Sequence, residues 1–332
     1  MIRRLLPRVW LLAAFAQGAL CRAALPEPEQ FVANVDVGRA VPANHVFDLE
    51  LWDLTYAERS EWFGRVLREF ERVAKTSQCD AVGQRRLAMI DWTAFAISID
   101  SEAAWSAART LALARAEKLD QAIDAAAANV RTDSSARITE LRRRFARDMA
   151  VRTAKLNPGW IEDLPEAAAD AWNIARRARM HAIQCANSAW LRVQMAEIGW
   201  FTIADYGADS DNAAWHLVQH ADSEVRFQRA TLEFLESLPQ GATSRTNLAY
   251  LQDRVAVNEG RPQRYGTQGR CTAEGEWRPY EVEAPAQLAT KRESLGIEVA
   301  DPVADVGRSG CLTAPTASEL AHMRRPRSGA PP

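Results

Sequence analysis

The chain has 332 residues, 47% of them hydrophobic and 25% charged, with a formal net charge of −2. That composition excludes a disordered chain, a collagen-like repeat and a strongly basic nucleic-acid binder. Two counts stand out: 11 Trp and only 5 Cys.

Arg3, Arg4 and Arg8 precede an apolar run from Val9 to Leu20, and the small residues Ala19, Ala23 and Ala24 follow. This order reads as a secretory signal peptide over residues 1–24. The run is shorter than the roughly 20 residues of a spanning helix. No stable membrane span is expected after cleavage. The expected compartment is therefore outside the cytoplasm, periplasmic or secreted. Removing residues 1–24 takes away four Arg and no acid, so the formal charge moves from −2 to −6. A nucleic-acid partner is not expected of such a chain. Four Cys remain: Cys79, Cys185, Cys271 and Cys311. An oxidising compartment favours disulfides. Cys271 and Cys311 share the irregular C-terminal region, which leaves Cys79 to pair with Cys185. No two Cys have the close spacing of a zinc site, and neither metal nor cofactor is expected.

Residues 25–48 hold three Pro and read as an extended lead-in. Residues 49–155 read as an N-terminal helical region. Thr55 and Glu58 form a capping box, and Trp62, Val66, Phe70 and Val73 follow on one helix face. Arg86 to Ile99 is apolar nearly all round, as in a buried helix. Asp100 or Ser101 caps the next helix, whose stripe runs from Trp105 to Val130. After a polar break at residues 131–135, Ile138, Leu141, Phe145 and Met149 resume the stripe. Arg142, Arg143, Arg144 and Arg147 back it as a solvated face.

Residues 156–311 read as a second helical domain, opened by the Asn157-Pro158-Gly159 turn. Leu164 to Trp190 is helical with a break expected near Cys185-Ala186-Asn187. A short helix from Val193 to Ile198 follows, then a loop at Trp200 to Gly207. Ser210-Asp211-Asn212 caps a helix ending at His220, and Asp222 caps the next. Pro239-Gln240-Gly241 joins that helix to a returning one through Leu248, Leu251 and Val255, an antiparallel hairpin. A small β-hairpin around Gly275-Glu276-Trp277 and a helix from Pro285 to Leu295 come next. Residues 312–332 read as a disordered tail. The fold class is mainly α: a helical bundle or array with a small irregular or β-hairpin segment near the C-terminus.

Asp222 and Asp253 are expected at the same end of the hairpin, with Gln219 and His220 just before that end and the loop 258–268 leaving it. His220, with Asp222 as partner carboxylate, are the candidate acid–base residues, because a His titrates near neutral pH. Gln219, Gln228, Asp253, Arg254, Gln263, Tyr265 and Gln268 are candidate ligand binders. Bland roles compete: His220 as a helix C-terminal residue, Asp222 as an N-cap, the glutamines as partners of backbone amides. His216 and His220 share a helix face, but the zinc-protease motif is absent. Asp222 and Asp253 lack the evidence of spacing that a glycosidase pair needs. No Gly-x-Ser-x-Gly elbow and no phosphate-cradling Gly loop is present. The Trp residues fall mostly on apolar stripes and are expected in the core.

Gln219-His220-Ala221-Asp222, Gln228, Ala249 to Val255 with its Asp253-Arg254 pair, and Gln263-Arg264-Tyr265-Gly266-Thr267-Gln268 resemble the bacterial domain-of-unknown-function family 6624. Asp170 to Gly207, with Trp172-Asn173 and Ile198-Gly199-Trp200, resembles the upstream part of that family. The resemblance covers about residues 140–300. It implies a mostly helical domain and supplies no activity. Two functional expectations follow. One is an exported protein with a polar ligand or catalytic pocket around His220, Asp222, Asp253, Arg254 and 263–268, doing metal-independent hydrolytic or acid–base chemistry on a small polar ligand. The other is a non-catalytic envelope protein, whose polar cluster is structural and whose partner is another envelope protein.

Overall fold

Local capping starts most of the helices, and burial of their apolar faces joins them. The computed structural model describes residues 25–39, 51–73, 78–272 and 277–297. The expected leader at 1–24, the expected tail at 312–332 and the expected Cys271–Cys311 pair, through Cys311, lie outside the described residues. Within them the protein is mainly helical, with one small antiparallel hairpin.

Helix α1 (Pro28–Asp36) corrects the extended lead-in over its length. Pro28 sits in the first turn, where its missing N–H costs nothing, and Phe31, Val32 and Val35 bury one stripe. Helix α2 (Tyr56–Val73) starts at the expected capping box: Thr55 N–H donates to Glu58 Oε2 (2.8 Å), and Glu58 N–H donates to Thr55 Oγ1 (3.3 Å). Asp80 caps α3 (Ala81–Ser98), Ser101 caps α4 (Glu102–Ala128) and Ser135 caps α5 (Ala136–Thr153). Val130 falls beyond the end of α4. The basic run on α5 is not simply solvated. Arg142 pairs with Asp133 and Arg147 with Asp124; Arg144 pairs with Glu140 and lies 5.0 Å over the Trp190 ring.

Helix α6 (Glu166–Ile198) runs for 33 residues without the expected break at Cys185-Ala186-Asn187. Asn187 is a poor helix former, but Cys185, Asn187 and Ser188 are buried, and packing overrides propensity. At about 1.5 Å per residue the helix is roughly 50 Å long. Gly199 ends it at φ 75°, a conformation that costs a side-chain-bearing residue. The loop expected at 200–207 contains one helical turn, α7 (Ile203–Tyr206).

Helix α8 (Ala208–Gln219) starts before Ser210-Asp211-Asn212, so those residues do not cap it. Asp211 faces inward instead, accepting from Trp200 Nε1 (2.8 Å), Thr243 Oγ1 (2.7 Å) and Ser244 N–H (3.1 Å). Helix α9 (Val225–Ser237) has Glu224, not Asp222, at its N-cap position. Helix α10 (Arg245–Asn258) returns antiparallel against it, as the hairpin reading expects. Strands β1 (Gly269–Cys271) and β2 (Trp277–Pro279) pair antiparallel, and α11 (Leu288–Glu293) follows a 3-10 turn at Pro285–Gln287.

Two apolar clusters form. The first joins α1 to α4 with the first half of α6, around Phe31, Trp62, Met89, Trp105 and Trp172. The second joins Leu141 of α5 and Leu191 of α6 to α8, α9 and α10, around Trp200, Phe201 and Trp215. Most described Trp residues thus lie in or against the core. Helices α5 and α6 contribute to both clusters, which holds α5 and the polar side chains it presents against a broad support.

Candidate functional site

An α-helix leaves its last carbonyls without intrahelical partners. At the end of α8 those carbonyls are met by Gln228, a fully buried residue of α9. Its Nε2 donates to Val218 O (3.1 Å) and Gln219 O (3.2 Å). Its Oε1 accepts from Asn258 Nδ2 of α10 (2.8 Å). The α8–α9 turn, Ala221 to Glu224, is therefore held from behind by two helices. His220 stands at the C-cap of α8, immediately before that turn.

Helix α5 supplies the partner of His220. Asp148 is completely buried, and its Oδ2 lies 2.5 Å from His220 Nδ1. Arg152, one turn on, donates through Nε to both Asp148 oxygens (3.1 and 3.2 Å) and through Nη2 to the His220 carbonyl (3.3 Å). Burial pushes the Asp148 carboxyl up, but the His220 hydrogen bond and the His220 and Arg152 charges outweigh it and hold the carboxyl below its usual range. Burial pushes the His220 ring down; the Asp148 hydrogen bond opposes it, while the Arg152 and Arg254 charges add to it, and the ring ends below its usual value. The chemically consistent state at neutral pH is an ionised Asp148 and a neutral His220 whose Nδ1 carries the proton. The His220 side chain keeps 17% exposure.

His216 lies one turn earlier, with ring centroids 5.5 Å apart. Burial, then the positive side of His220, push its pKa to about 4. His216 Nδ1, Gln219 Oε1 and Arg254 Nε are buried without a hydrogen-bond partner among the described residues. Buried polar atoms are seldom left so, and such atoms are where water or ligand groups bind.

The expected residues divide into two groups. His220, Asp222, Gln228 and Arg254 gather at the α8–α9 turn. Asp222 meets Arg254 Nη1 (3.3 Å) and Asn258 Nδ2 (3.2 Å), while Asp148 takes the place at the His220 ring that the sequence reading gave to Asp222. Asp253, Gln263 and Gln268 lie in a separate, buried network. Asp253 accepts from the backbone of Arg264 (2.7 Å), Tyr265 (3.0 Å) and Thr267 (2.9 Å) and from Thr267 Oγ1 (2.9 Å). Gln263 Nε2 donates to Gln268 O (2.8 Å) and Tyr280 O (2.9 Å), and its Oε1 accepts from Gln268 N–H (2.8 Å). Tyr265 O accepts from Arg292 Nη1 (3.1 Å). Asp253 and Arg254 are adjacent on α10, and successive helical side chains point about 100° apart, which sends them to different networks.

Asp148 and Arg152 were missed by the sequence reading. A signal was present: Leu141, Phe145 and Asp148 share one helical stripe, so the acid occupies a core-facing position. A buried acid needs a partner. A hollow of about 310 Å³ opens elsewhere, between α9, α10 and the loop after α10, lined by residues including Arg229, Glu233, Arg261 and Glu283. It does not include His220.

Fold and site together define a mainly helical protein with a partly buried Asp–His–Arg network in which Asp148 alone is fully enclosed. Residues 146–303 match the model of a family described as "Family of unknown function (DUF6624)", in agreement with the motif resemblance. Asp148, His220 and Arg254 all fall within the matched residues. No curated protein and no solved structure matches the chain.

Proposed function

We propose that this is an exported protein whose family domain holds a metal-independent acid–base site centred on His220. The observation that carries the reading is the 2.5 Å contact between His220 Nδ1 and the fully buried Asp148. A carboxylate that can only accept fixes the proton on Nδ1 and leaves Nε2 with its lone pair. That nitrogen takes a proton from water or from a ligand hydroxyl, and Asp148 stabilises the imidazolium that results. Arg254, whose charge already acts on His220, is the cation for a ligand's negative charge, with Asp222 orienting its guanidinium. Export rests on the charged, apolar and small-residue order of residues 1–24. Among the described residues no helix is long and apolar enough to cross a membrane.

The test is a screen of the full mature chain against fluorogenic carboxylate and phosphate esters and cell-wall fragments. Turnover or a thermal shift that His220→Gln abolishes, with the helical circular dichroism spectrum retained, is the expected result. A ligand effect unchanged in His220→Gln would remove His220 from the site. The second reading, a non-catalytic binding protein, is favoured by the Asp253–Gln263–Gln268 network, which is wholly occupied in holding a loop. It predicts that His220→Gln lowers stability and alters no ligand response.

A further inference from the structure

Cys79 and Cys185 form a disulfide, as the compartment argument expects, with Cα atoms 5.2 Å apart. His181 lies one helical turn before Cys185 on α6, and its Nε2 is 3.7 Å from Cys185 Sγ. The Cys79 and Cys185 sulfurs and a ring nitrogen of His181 all lie within 4.8 Å of one another. Nothing in the acid–base reading uses these three residues, and Cys79 lies outside the family match.

The geometry points to a second state of this triad: a zinc site that reduction of the disulfide creates. Two thiolates and one imidazole are a donor set that suits Zn²⁺. With Zn–S about 2.3 Å and Zn–N about 2.0 Å, tetrahedral geometry puts sulfur and nitrogen about 3.5 Å apart. The observed 3.7 Å between Cys185 Sγ and His181 Nε2 is within about 0.2 Å of that. Two thiolates on one zinc stand about 3.8 Å apart by the same geometry, which side-chain rotation supplies once the bond is cut. Water fills the fourth position.

The backbone is held for this without the disulfide. His181 and Cys185 sit in the middle of the unbroken α6. Cys79 sits just before α3, in a turn pinned by Gln84 Nε2 to Cys79 O (3.0 Å) and by Gly83 N–H to Asp80 Oδ1 (2.7 Å). Asp91 of α3 and Arg177 of α6 add an ion pair at 3.4 Å between the same two helices. A dithiol reductant gives two electrons and two protons to the Cys79–Cys185 bond and leaves as its own disulfide. Zinc then binds the two thiols as thiolates and releases two protons. The covalent tie between α3 and α6 is exchanged for a metal tie.

The test uses the full mature chain, reduced with a phosphine that is then removed under anaerobic conditions, and Co²⁺ as the spectroscopic stand-in for zinc. The reduced protein should bind about one equivalent with a sulfur-to-cobalt charge-transfer band, and zinc should displace it. The oxidised protein should show no such band. The Cys271→Ser/Cys311→Ser variant should bind like the parent. His181→Ala keeps the disulfide, so its fold is checked before reduction; after reduction its affinity should fall at least tenfold. Absence of the band in the reduced parent, loss of helical signal on reduction, or an unchanged affinity in His181→Ala overturns the proposal. So does a band that survives in Cys79→Ser/Cys185→Ser.

Discussion

Asp148→Asn removes one charge and almost no volume from the centre of the network. In the parent, the carboxylate serves His220 at 2.5 Å and Arg152 at 3.1 and 3.2 Å. A hydrogen bond involving a charged group contributes about 1.5–3 kcal/mol, so losing both ties outright would cost about 3–6 kcal/mol. The asparagine keeps one acceptor, which retains one of the two. Arg152 is 21% exposed and recovers water. The expected loss is therefore about 2–3 kcal/mol, from the same hydrogen-bond scale. It is read from urea unfolding followed by Trp fluorescence at pH 7.5. Two further changes separate this account from a generic loss of packing. Without the carboxylate, the burial and Arg charges that lower the His220 pKa are unopposed, so it falls further below its usual value. The ring also loses its fixed tautomer, which nitrogen-15 chemical shifts of the imidazole report. A loss under about 0.5 kcal/mol, with tautomer and titration unchanged, refutes the pairing on that scale.

Acid should weaken the fold before the carboxylates titrate. His216 and His220 both have folded pKa values below the unfolded value of 6.5, His216 at about 4. The unfolded chain therefore binds more protons below pH 6.5, and stability present above that pH is lost as pH falls toward 4. For His216 alone the shift corresponds to about 3 kcal/mol, reduced to about 1–2 by solvent screening at a partly open ring. Urea midpoints at pH 7.5, 6 and 5 should fall in order, and a flat series would contradict the burial argument. Asp253→Ala strips four acceptor contacts from residues 264–267 and should cost about 3 kcal/mol or more by leaving backbone amides unpaired. Hydrogen exchange should locate the loss in that loop, with the His220 titration unmoved. The Cys79→Ser/Cys185→Ser variant opens a link between residues 106 apart and should lose about 2–5 kcal/mol in non-reducing buffer, measured as a drop in Tm. Gly199→Ala, at φ 75° and facing Phe234 Cζ at 3.4 Å, should lower Tm, whereas Gly207→Ala meets no atom within 4 Å and tests the φ cost by itself.

Features set by interactions within a few residues were legible in the chain alone. The Thr55–Glu58 box and the Ser101 cap act over three residues, and a chain segment carries that information wherever it sits. The same holds for the α9–α10 hairpin, whose short connection leaves antiparallel packing as the only way to bury Leu232, Leu235, Leu251 and Val255. Gln228 and Arg254 were legible together because the hairpin pairs their helices, and His220 joins them because the chain enters that hairpin at Glu224, four residues after it. The remaining pairings depend on how distant helices pack. Asp222 is near His220 in sequence, yet Asp148, 72 residues away, holds the ring, because only the packing of α5 on α8 sets which carboxylate meets Nδ1. Asp253 and Arg254 are neighbours in sequence, yet the helix sends one into a loop and the other to the α8–α9 turn. α6 passes through Cys185-Ala186-Asn187 because burial against other helices outweighs a local preference of under 1 kcal/mol per residue. Residue types and spacing marked where polar chemistry gathers; the choice among chemically equivalent partners was made by contacts whose loops close only when the whole fold does.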